Sequence, residues 1–553
     1  MKLINKSKLL FLPTLVFTTL AFANIPSSFM ETLNHNIPNI NSLILDNSAD
    51  IAHALNQEKI ERLQQAANQD NREATYLLGL MYLRGIGIEQ SDTKAFQWLK
   101  KSAQQGDAKA QFFVGLMYSK GQGIKKSNEK AFQWFNKAAQ QNLALAQKNL
   151  GVMYLKGQGI QKSDNESIKW FTKAAKQQND TAQYILGTMY LKGLGTKIST
   201  KDAFKWLKKA AEQGNADAQL SLGDLYLNGV GIPQSPANAF KWFKKSAEQN
   251  DPIAQSKLGI LYFYGRGVKK SDNEAFKWFE KSAKQNYPIA QKDLALMYLD
   301  GIAVKQSDQK AFEWFQKAAK QNYFPAQKNL ALMYLYGKGV KQSDSEALKW
   351  LLMAANKGDA SAQTILATMY FEGKGVEKSE EKAFQWMLKA AQQGHLIAQK
   401  NVSLMYLNGQ GTAQSDAQAF QWLKKAAEQN DPIAQEELAV MYFYAKGVKQ
   451  SYAEAFKWFK KSAQQGYNIA QKDLAMMYLN GHGTPKSTSN ALKWLTKAAQ
   501  QQEASAQYLL ALLYLEGNGV AKSKEKAHFW MEKAAQQGIL EAQIWLKAQQ
   551  SKP

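Results

Sequence analysis

The sequence predicts an all-α fold: an α/α superhelical solenoid of 13 full 36-residue helix-turn-helix repeats, with a half-repeat cap at each end. Three observations predict it. A tyrosine recurs every 36 residues, from Tyr82 and Tyr118 to Tyr514, through 13 units without insertion or deletion. A tryptophan follows each tyrosine by 16 residues, from Trp98 to Trp530. Between the two lies a G-x-G turn, as at Gly121 and Gly123, interrupted only at Ala303 and Ala445. Such a period belongs to units that bury their apolar faces against their neighbours.

Each unit reads as two helices. In the second, Ala95, Phe96, Trp98, Leu99, Ser102 and Ala103 share one side of a helical wheel. A serine precedes this helix in all 13 units, from Ser91 to Ser523, where its hydroxyl can accept from the unpaired first-turn N–H groups. Pro236 follows Ser235 at the first helical position, where proline is tolerated. Glu166, Asp202, Glu274, Glu346 and Glu454 stand three residues after their serines, the pattern of a capping box. The helix closes on Gly in six units, Asn in five and Gln in two (Gln178 and Gln502). Gly and Asn tolerate the left-handed conformation that ends a helix. The first helix turns Ala110, Gln111, Val114, Gly115, Met117 and Tyr118 inward. The Gly115 position is Gly in the first six units, then Ala or Ser403, which lets a neighbouring helix approach closely. The G-x-G turns need positive φ and lack the context of a phosphate loop.

The pattern A-x-x-x-L-G-x-M-Y-x-x-G-x-G, the later A-F-x-W-[LF] and the closing K-A-A-x-x-[GN] resemble the Sel1-like repeat family, relatives of the tetratricopeptide repeats. The resemblance covers residues 72–538. It implies an α/α superhelix, expected here to be right-handed, used as a binding scaffold and usually without catalysis. Some secreted relatives carry a disulfide in each repeat. This chain departs from them, because it contains no cysteine. Disulfides, thiolate nucleophiles, Cys-ligated metals and a lipid-anchored N-terminal cysteine are excluded together.

The 553 residues carry a formal charge of +24, and removal of a leader holding Lys2, Lys6 and Lys8 leaves +21. That balance favours acidic protein partners and a monomer. It does not favour nucleic acid, because the lysines are spread by the repeat. Twelve of 13 units place Lys at the Lys101 position, with Met353 the exception. These read as solvated cations in the last helical turn, favoured by the helix dipole.

Residues 1–23 read as a signal peptide, cut after Ala21-Phe22-Ala23, so the chain is expected in the periplasm or secreted, with no membrane span after cleavage. Residues 24–49 read as an asparagine-rich linker or arm with an apolar contact at Leu43, Ile44 and Leu45. Residues 50–70 read as a capping helix, with Arg62 at the tryptophan position. The solenoid spans 71–538, and residues 539–553 form a C-terminal capping helix and tail in which Lys547 replaces the small residue.

The chemistry-like motifs are weak. S-x-x-K occurs five times, as at Ser91/Lys94 and Ser307/Lys310, and S-D-N twice, at Ser163–Asn165 and Ser271–Asn273. Both belong to the signature of serine β-lactamases and penicillin-binding proteins. All lie in the same capping slot of successive units, and no K-T-G accompanies them. The five histidines (His35, His53, His395, His482, His528) fall at unrelated positions without a metal-binding spacing. The Tyr and Trp rows read as core and not as a base-stacking platform. No catalytic residue, cofactor or metal site is assigned, and the chain is read as a non-enzyme.

Positions that vary between units are expected to be exposed. On the first helix these are the Tyr76, Leu77 and Arg84 slots. They surround an apolar row at the Leu80 slot. The candidate partner-binding groove is therefore Tyr76, Lys148, Ile260, Lys292, Leu296, Lys328, Leu332, Tyr336, Lys400, Leu404 and Lys472. The alternative is that curvature buries the Leu80 row between units. In relatives the first helices line the concave side, which would put this stripe in the groove. The expected function is an exported protein-interaction scaffold in a bacterial envelope or at a host interface. One alternative is a binder or regulator of peptidoglycan, or of the enzymes that cleave it. A disfavoured one is a hydrolase acting on β-lactams or peptidoglycan.

Overall fold

The computed structural model describes residues 57–550. The predicted leader, the arm, His35, His53 and the start of the N-terminal cap lie outside the described residues. Those described hold 28 helices and no strand, so the fold is the all-α, α/α solenoid of helix pairs. Repeat 1 starts at residue 72, repeat 2 at 108, and each later one 36 residues on. First helices run as Ala108–Lys120 does, second helices as Asn128–Gln140. The chain forms two compact bodies, up to Lys305 and from Gln306. Each has the same internal construction.

Every second helix starts on its serine. Ser91 Oγ accepts from the Lys94 amide at 3.3 Å and Ser343 Oγ from the Glu346 amide at 3.3 Å, and the other eleven serines do likewise. The reciprocal half of the expected capping box is not made. The serine N–H donates instead to the carbonyl of the repeat tyrosine nine residues earlier, as in Ser127 to Tyr118 at 3.0 Å. Four of the five acids turn outward to a lysine three residues on, as Glu166 does to Lys169 at 2.6 Å. The turn thus bonds to the end of the first helix and folds the two helices together.

The helix ends meet their backbone requirement. Asn142, Gln178 and Asn250 adopt φ of 65°, 63° and 69° where other repeats use glycine, and Ala303 and Ala445 accept φ of 59° in the turn. The small slot has the predicted role. A Cβ on Gly223 would lie 2.4 Å from Phe243, and one on Gly115 2.8 Å from Phe135. The two helices of a repeat touch there, backbone to ring.

Three devices join one repeat to the next. A phenylalanine of the second helix meets the next repeat's tyrosine edge to face, as Phe96 meets Tyr118 at 5.2 Å and 89°. The second turn glycine sits on the preceding repeat's second helix, so that a Cβ on Gly123 would lie 2.2 Å from the Asp92 carbonyl oxygen. Buried glutamines form a relay. Gln147 Nε2 donates to the Ala139 carbonyl of the preceding repeat, and its Oε1 accepts from Gln177 at 2.7 Å. Lys357 replaces the donor in repeat 8, and Gln327 Oε1 there is buried without a hydrogen bond.

At the start, Ile60 and Ala67 of helix Gln57–Asn68 are buried against repeat 1 while Arg62 faces water. At the end, Ala542 of helix Leu540–Gln550 packs with Met531 and Ala511.

Candidate protein-binding face of the first helices

The first helices carry the variable positions, and three of their slots decide what the face can do. The slots of Tyr76, Leu77 and Leu80 do not share the exposure expected of them. In repeats 2 to 4 all three are buried: Phe112, Phe113 and Leu116, then Lys148, Asn149 and Val152, then Tyr184, Ile185 and Thr188. In repeats 9 to 13 none of them is buried. Lys148, expected at the surface, is only 3% exposed, and burial lowers its pKa to about 8 against the pull of Asp180. Tyr76, Ile260 and Leu296 are half-buried, Leu332 is buried, and Leu404 and Tyr336 are exposed. Lys292, Lys328, Lys400 and Lys472 are half-buried, not exposed as predicted. Variability therefore did not report exposure: adjacent first helices lie side by side, and slots that differ in chemistry still face one another.

Three of these lysines are also paired. Lys292 holds the Asp293 carboxylate, Lys400 holds Asp431 at 3.2 Å and Lys472 holds Asp473 at 2.9 Å. Burial raises the pKa of Asp293 and of Asp473, which their lysines oppose. Glu436, in the same slot as Lys400, is pushed up to about 7 by burial, with Asp473 and Glu437 adding to it and Lys472 opposing it. In repeats 10 to 12 this face thus holds two paired lysines beside the acids Glu436 and Glu437. It is not the positive stripe read from the sequence.

The Arg84 slot, at the C-terminal end of each first helix, behaves differently. It holds Arg84, Lys120, Lys156 and Lys192 in repeats 1 to 4 and no cation in any later repeat. Further on it holds exposed tyrosines, Tyr264, Tyr336 and Tyr444, the last 66% exposed. In the second body, Tyr336, Leu404 and Tyr444 are the exposed large apolar side chains of these slots.

On the other side of the solenoid, the second helices carry a row the sequence reading missed. In most repeats the lysine three residues after the tryptophan lies over the indole ring, at 4.0 Å for Lys425 on Trp422 and 4.1 Å for Lys317 on Trp314. Eleven repeats make this contact. The tryptophans are mostly half-buried, not full core. The i, i+3 spacing of Trp and Lys on one helix was the available signal. One cavity of about 490 Å³ opens beside this row, lined by Trp170, Tyr190, Ile168 and Thr196.

The motif residues are accounted for locally. In each S-x-x-K the serine oxygen receives the lysine's own backbone amide, and lysines such as Lys94, Lys130, Lys382 and Lys526 reach over a repeat tyrosine, as Lys130 does over Tyr118 at 5.6 Å. His395 lies 3.2 Å from the Thr364 hydroxyl, with its pKa lowered by burial, and His482 stacks on Tyr452 at 4.6 Å. Among the described residues no group of acids and histidines could hold a metal ion.

The Sel1 repeat family model matches 13 times, from residues 72–107 to 504–539. No curated protein matches the chain. Among solved structures, the chain is similar to a protective antigen present in uropathogenic Escherichia coli strains and displaying an SLR fold. The two are 32% identical over 89% of this chain and 97% of that one, with a TM-score of 0.65. It is also similar to a Sel1 repeat protein from Oxalobacter formigenes, at 33% identity over 57% of this chain and 92% of that one, with a TM-score of 0.46. Thirteen matched units with conserved internal geometry and a full-length relative lead to one conclusion: the chain belongs to the Sel1 repeat family.

Proposed function

We propose that this chain is an exported, non-catalytic scaffold that binds a protein partner on the first helices of repeats 8 to 12. The observation that carries the reading is the set of exposed apolar anchors, Tyr336, Leu404 and Tyr444, on a face whose lysines Lys400 and Lys472 are already paired with acids. Such a face gains little from an acidic partner. It suits a segment that presents apolar side chains and satisfies the polar rim. An acidic partner is not required by it, and the lysines expected to recognise one are engaged with Asp431 and Asp473.

Export rests on the basic, apolar and small-residue order of residues 1–23. The description of the Escherichia coli relative as a protective antigen supports exposure outside the cytoplasm. Mass spectrometry of the periplasmic or released chain is expected to find Asn24 at the N-terminus; an intact Met1 there would refute cleavage. Binding is tested by crosslinked capture from envelope extract, comparing the parent with Y336A/L404A/Y444A. Loss of the captured protein with unchanged helical content supports the face, and equal capture refutes it.

A glycan reading has one feature in its favour. Ile168 and Thr196 replace the Phe and Ile or Val usual at their slots, which leaves Trp170 and Tyr190 bordering the cavity. Titration with soluble peptidoglycan fragments, in parent and W170A protein, tests it; equal heats in both would refute it.

A further inference from the structure

The chain contains four Asn-Gly pairs, and the fold treats one of them differently from the other three. They are Asn228-Gly229, Asn408-Gly409, Asn480-Gly481 and Asn518-Gly519. In such a pair the following backbone nitrogen readily reaches the asparagine side-chain amide, because glycine puts no Cβ in the way. All four asparagines are exposed, so access to water does not separate them. Their glycine amides do. Asn228, Asn408 and Asn480 each end a first helix, and the next glycine N–H donates to the carbonyl four residues back. Gly229 donates to Leu225, Gly409 to Met405 and Gly481 to Met477, the last at 2.9 Å. Attack by these nitrogens would first have to break that bond and turn the asparagine out of its helical backbone. Asn518 is instead the middle residue of the G-x-G turn of repeat 13. Its own N–H donates to the Leu513 carbonyl at 3.2 Å, while the Gly519 amide donates to no carbonyl or side chain among the described residues. Gly517 and Gly519 flank it, each at a φ of 72°. No other repeat has asparagine in this slot. Gln122, Gln158 and Gln410 stand there in repeats 2, 3 and 10, and their longer side chains would need a slower six-membered closure.

We infer that Asn518 is a site of spontaneous deamidation in the folded protein, selected by its turn, and that the change loosens the joint between repeats 12 and 13. The Gly519 nitrogen attacks Asn518 Cγ, its proton leaves with the side-chain nitrogen as ammonia, and a five-membered succinimide closes. Water then opens the ring at one of its two carbonyls. One opening gives aspartate. The other gives isoaspartate, in which the main chain runs through Cβ and Cγ and the former backbone carbonyl becomes the free carboxylate. Both products add a negative charge, and isoaspartate also lengthens the main chain by one methylene. The added length falls beside a close seat. A Cβ on Gly519 would lie 2.5 Å from Thr488 Cγ2 on the second helix of repeat 12. The same turn is tied further on, where the Ser523 N–H donates to the Tyr514 carbonyl at 3.0 Å. A turn one carbon longer shifts Gly519 off its seat or strains that tie, and the second helix of repeat 13 begins at that serine. Because repeats are held by their neighbours alone, a looser seat is felt in repeat 13 and in the helix Leu540–Gln550 packed on it. This inference concerns one turn and stands apart from the partner face proposed for repeats 8 to 12.

The test uses the full chain, aged in mildly alkaline buffer and mapped by mass spectrometry with enzymatic methyl labelling of isoaspartate. Conversion at Asn518 is expected to run at least tenfold faster than at Asn228, Asn408 or Asn480. In the urea-unfolded chain, where all four pairs have the same local chemistry, the four rates should converge. Amide exchange in the helices Lys524–Gln536 and Leu540–Gln550 is expected to be at least tenfold faster in the modified fraction, with repeats 9 to 11 unchanged. N518Q places in the turn a residue that three other repeats already carry there, so it should fold as the parent does. On ageing it is expected to form no isoaspartate in this turn and to keep its exchange rates. Equal rates at the four sites of the folded chain, or faster conversion at any of the three helix ends, would overturn the assignment of Asn518. Conversion there without faster exchange in repeat 13 would overturn its effect on the joint.

Discussion

Gln327 shows how much one atom matters when a device is repeated. At least ten repeats satisfy the buried glutamine oxygen with a second glutamine 30 residues on, and Lys357 takes that donor away from Gln327. K357Q is expected to restore the bond and stabilise repeat 8 by about 1 kcal/mol, the net worth of an intramolecular hydrogen bond. Native-state hydrogen exchange of residues 324–359 reads it, and no slowing would show the oxygen to be satisfied by water. Glu436 gives a pH prediction. Its folded pKa, about 7, lies above the ordinary glutamate value, so the folded state holds the proton more tightly. Its contribution is fully present below about pH 4.3 and is lost as pH rises through 7. E436Q should therefore melt above the parent at pH 8 and with it near pH 4; equal melting temperatures at both pH values would remove the effect. The repeat-level chemistry of single residues was largely legible: serine caps, left-handed asparagines and the glycine slot all follow from local backbone rules. Exposure of the Lys148 slot was not, because it depends on what lies across from a first helix, and nothing within a single repeat specifies that.

The helix pair is the next scale, and its closest point is Gly223 against Phe243. G223A is expected to cost about 1–3 kcal/mol through overpacking, and F243L in the same chain should recover part of it. Urea unfolding of both variants checks this, and additive losses would mean that the two side chains do not meet. The tryptophan row needs a smaller expectation than a buried core would. Trp278 is half-buried with Lys281 at 4.4 Å over its ring, so W278A should cost less than the roughly 3–5 kcal/mol typical of a fully buried tryptophan. The period revealed that Trp and Lys recur together; only the rotamer shows that one covers the other. The lysine row thereby changes meaning, from solvated charge to a lid on an indole.

At the scale of the whole molecule, stability is a sum over repeats and their interfaces. F243A removes a fully buried ring from repeat 5 and is expected to cost about 3–5 kcal/mol. Hydrogen exchange should rise first in repeats 4 to 6 and reach repeat 1 last. Uniform acceleration over residues 72–305 would mean that this body unfolds as one unit. The helix-pair repeat of the described residues was legible, because a fixed period constrains the fold more tightly than any single motif. The distribution of charge was not. The total of +24 described the chain but no particular face of it, since Asp293, Asp431 and Asp473 sit where the nearest lysines are already committed.

The second turn glycine has a consequence at the level of the gene. Gly123 sits on Asp92, and Gly159 sits on Asn128 in the same way. Removing residues 108–143 would bring Gly159 onto Asp92 and recreate the seat it had lost. Removing any other length from the same region would set a side chain against a carbonyl oxygen. A change of repeat number can therefore lengthen or shorten the protein only in whole notches. Whole repeats can be added or taken away while every remaining joint stays the same, as with the links of a chain.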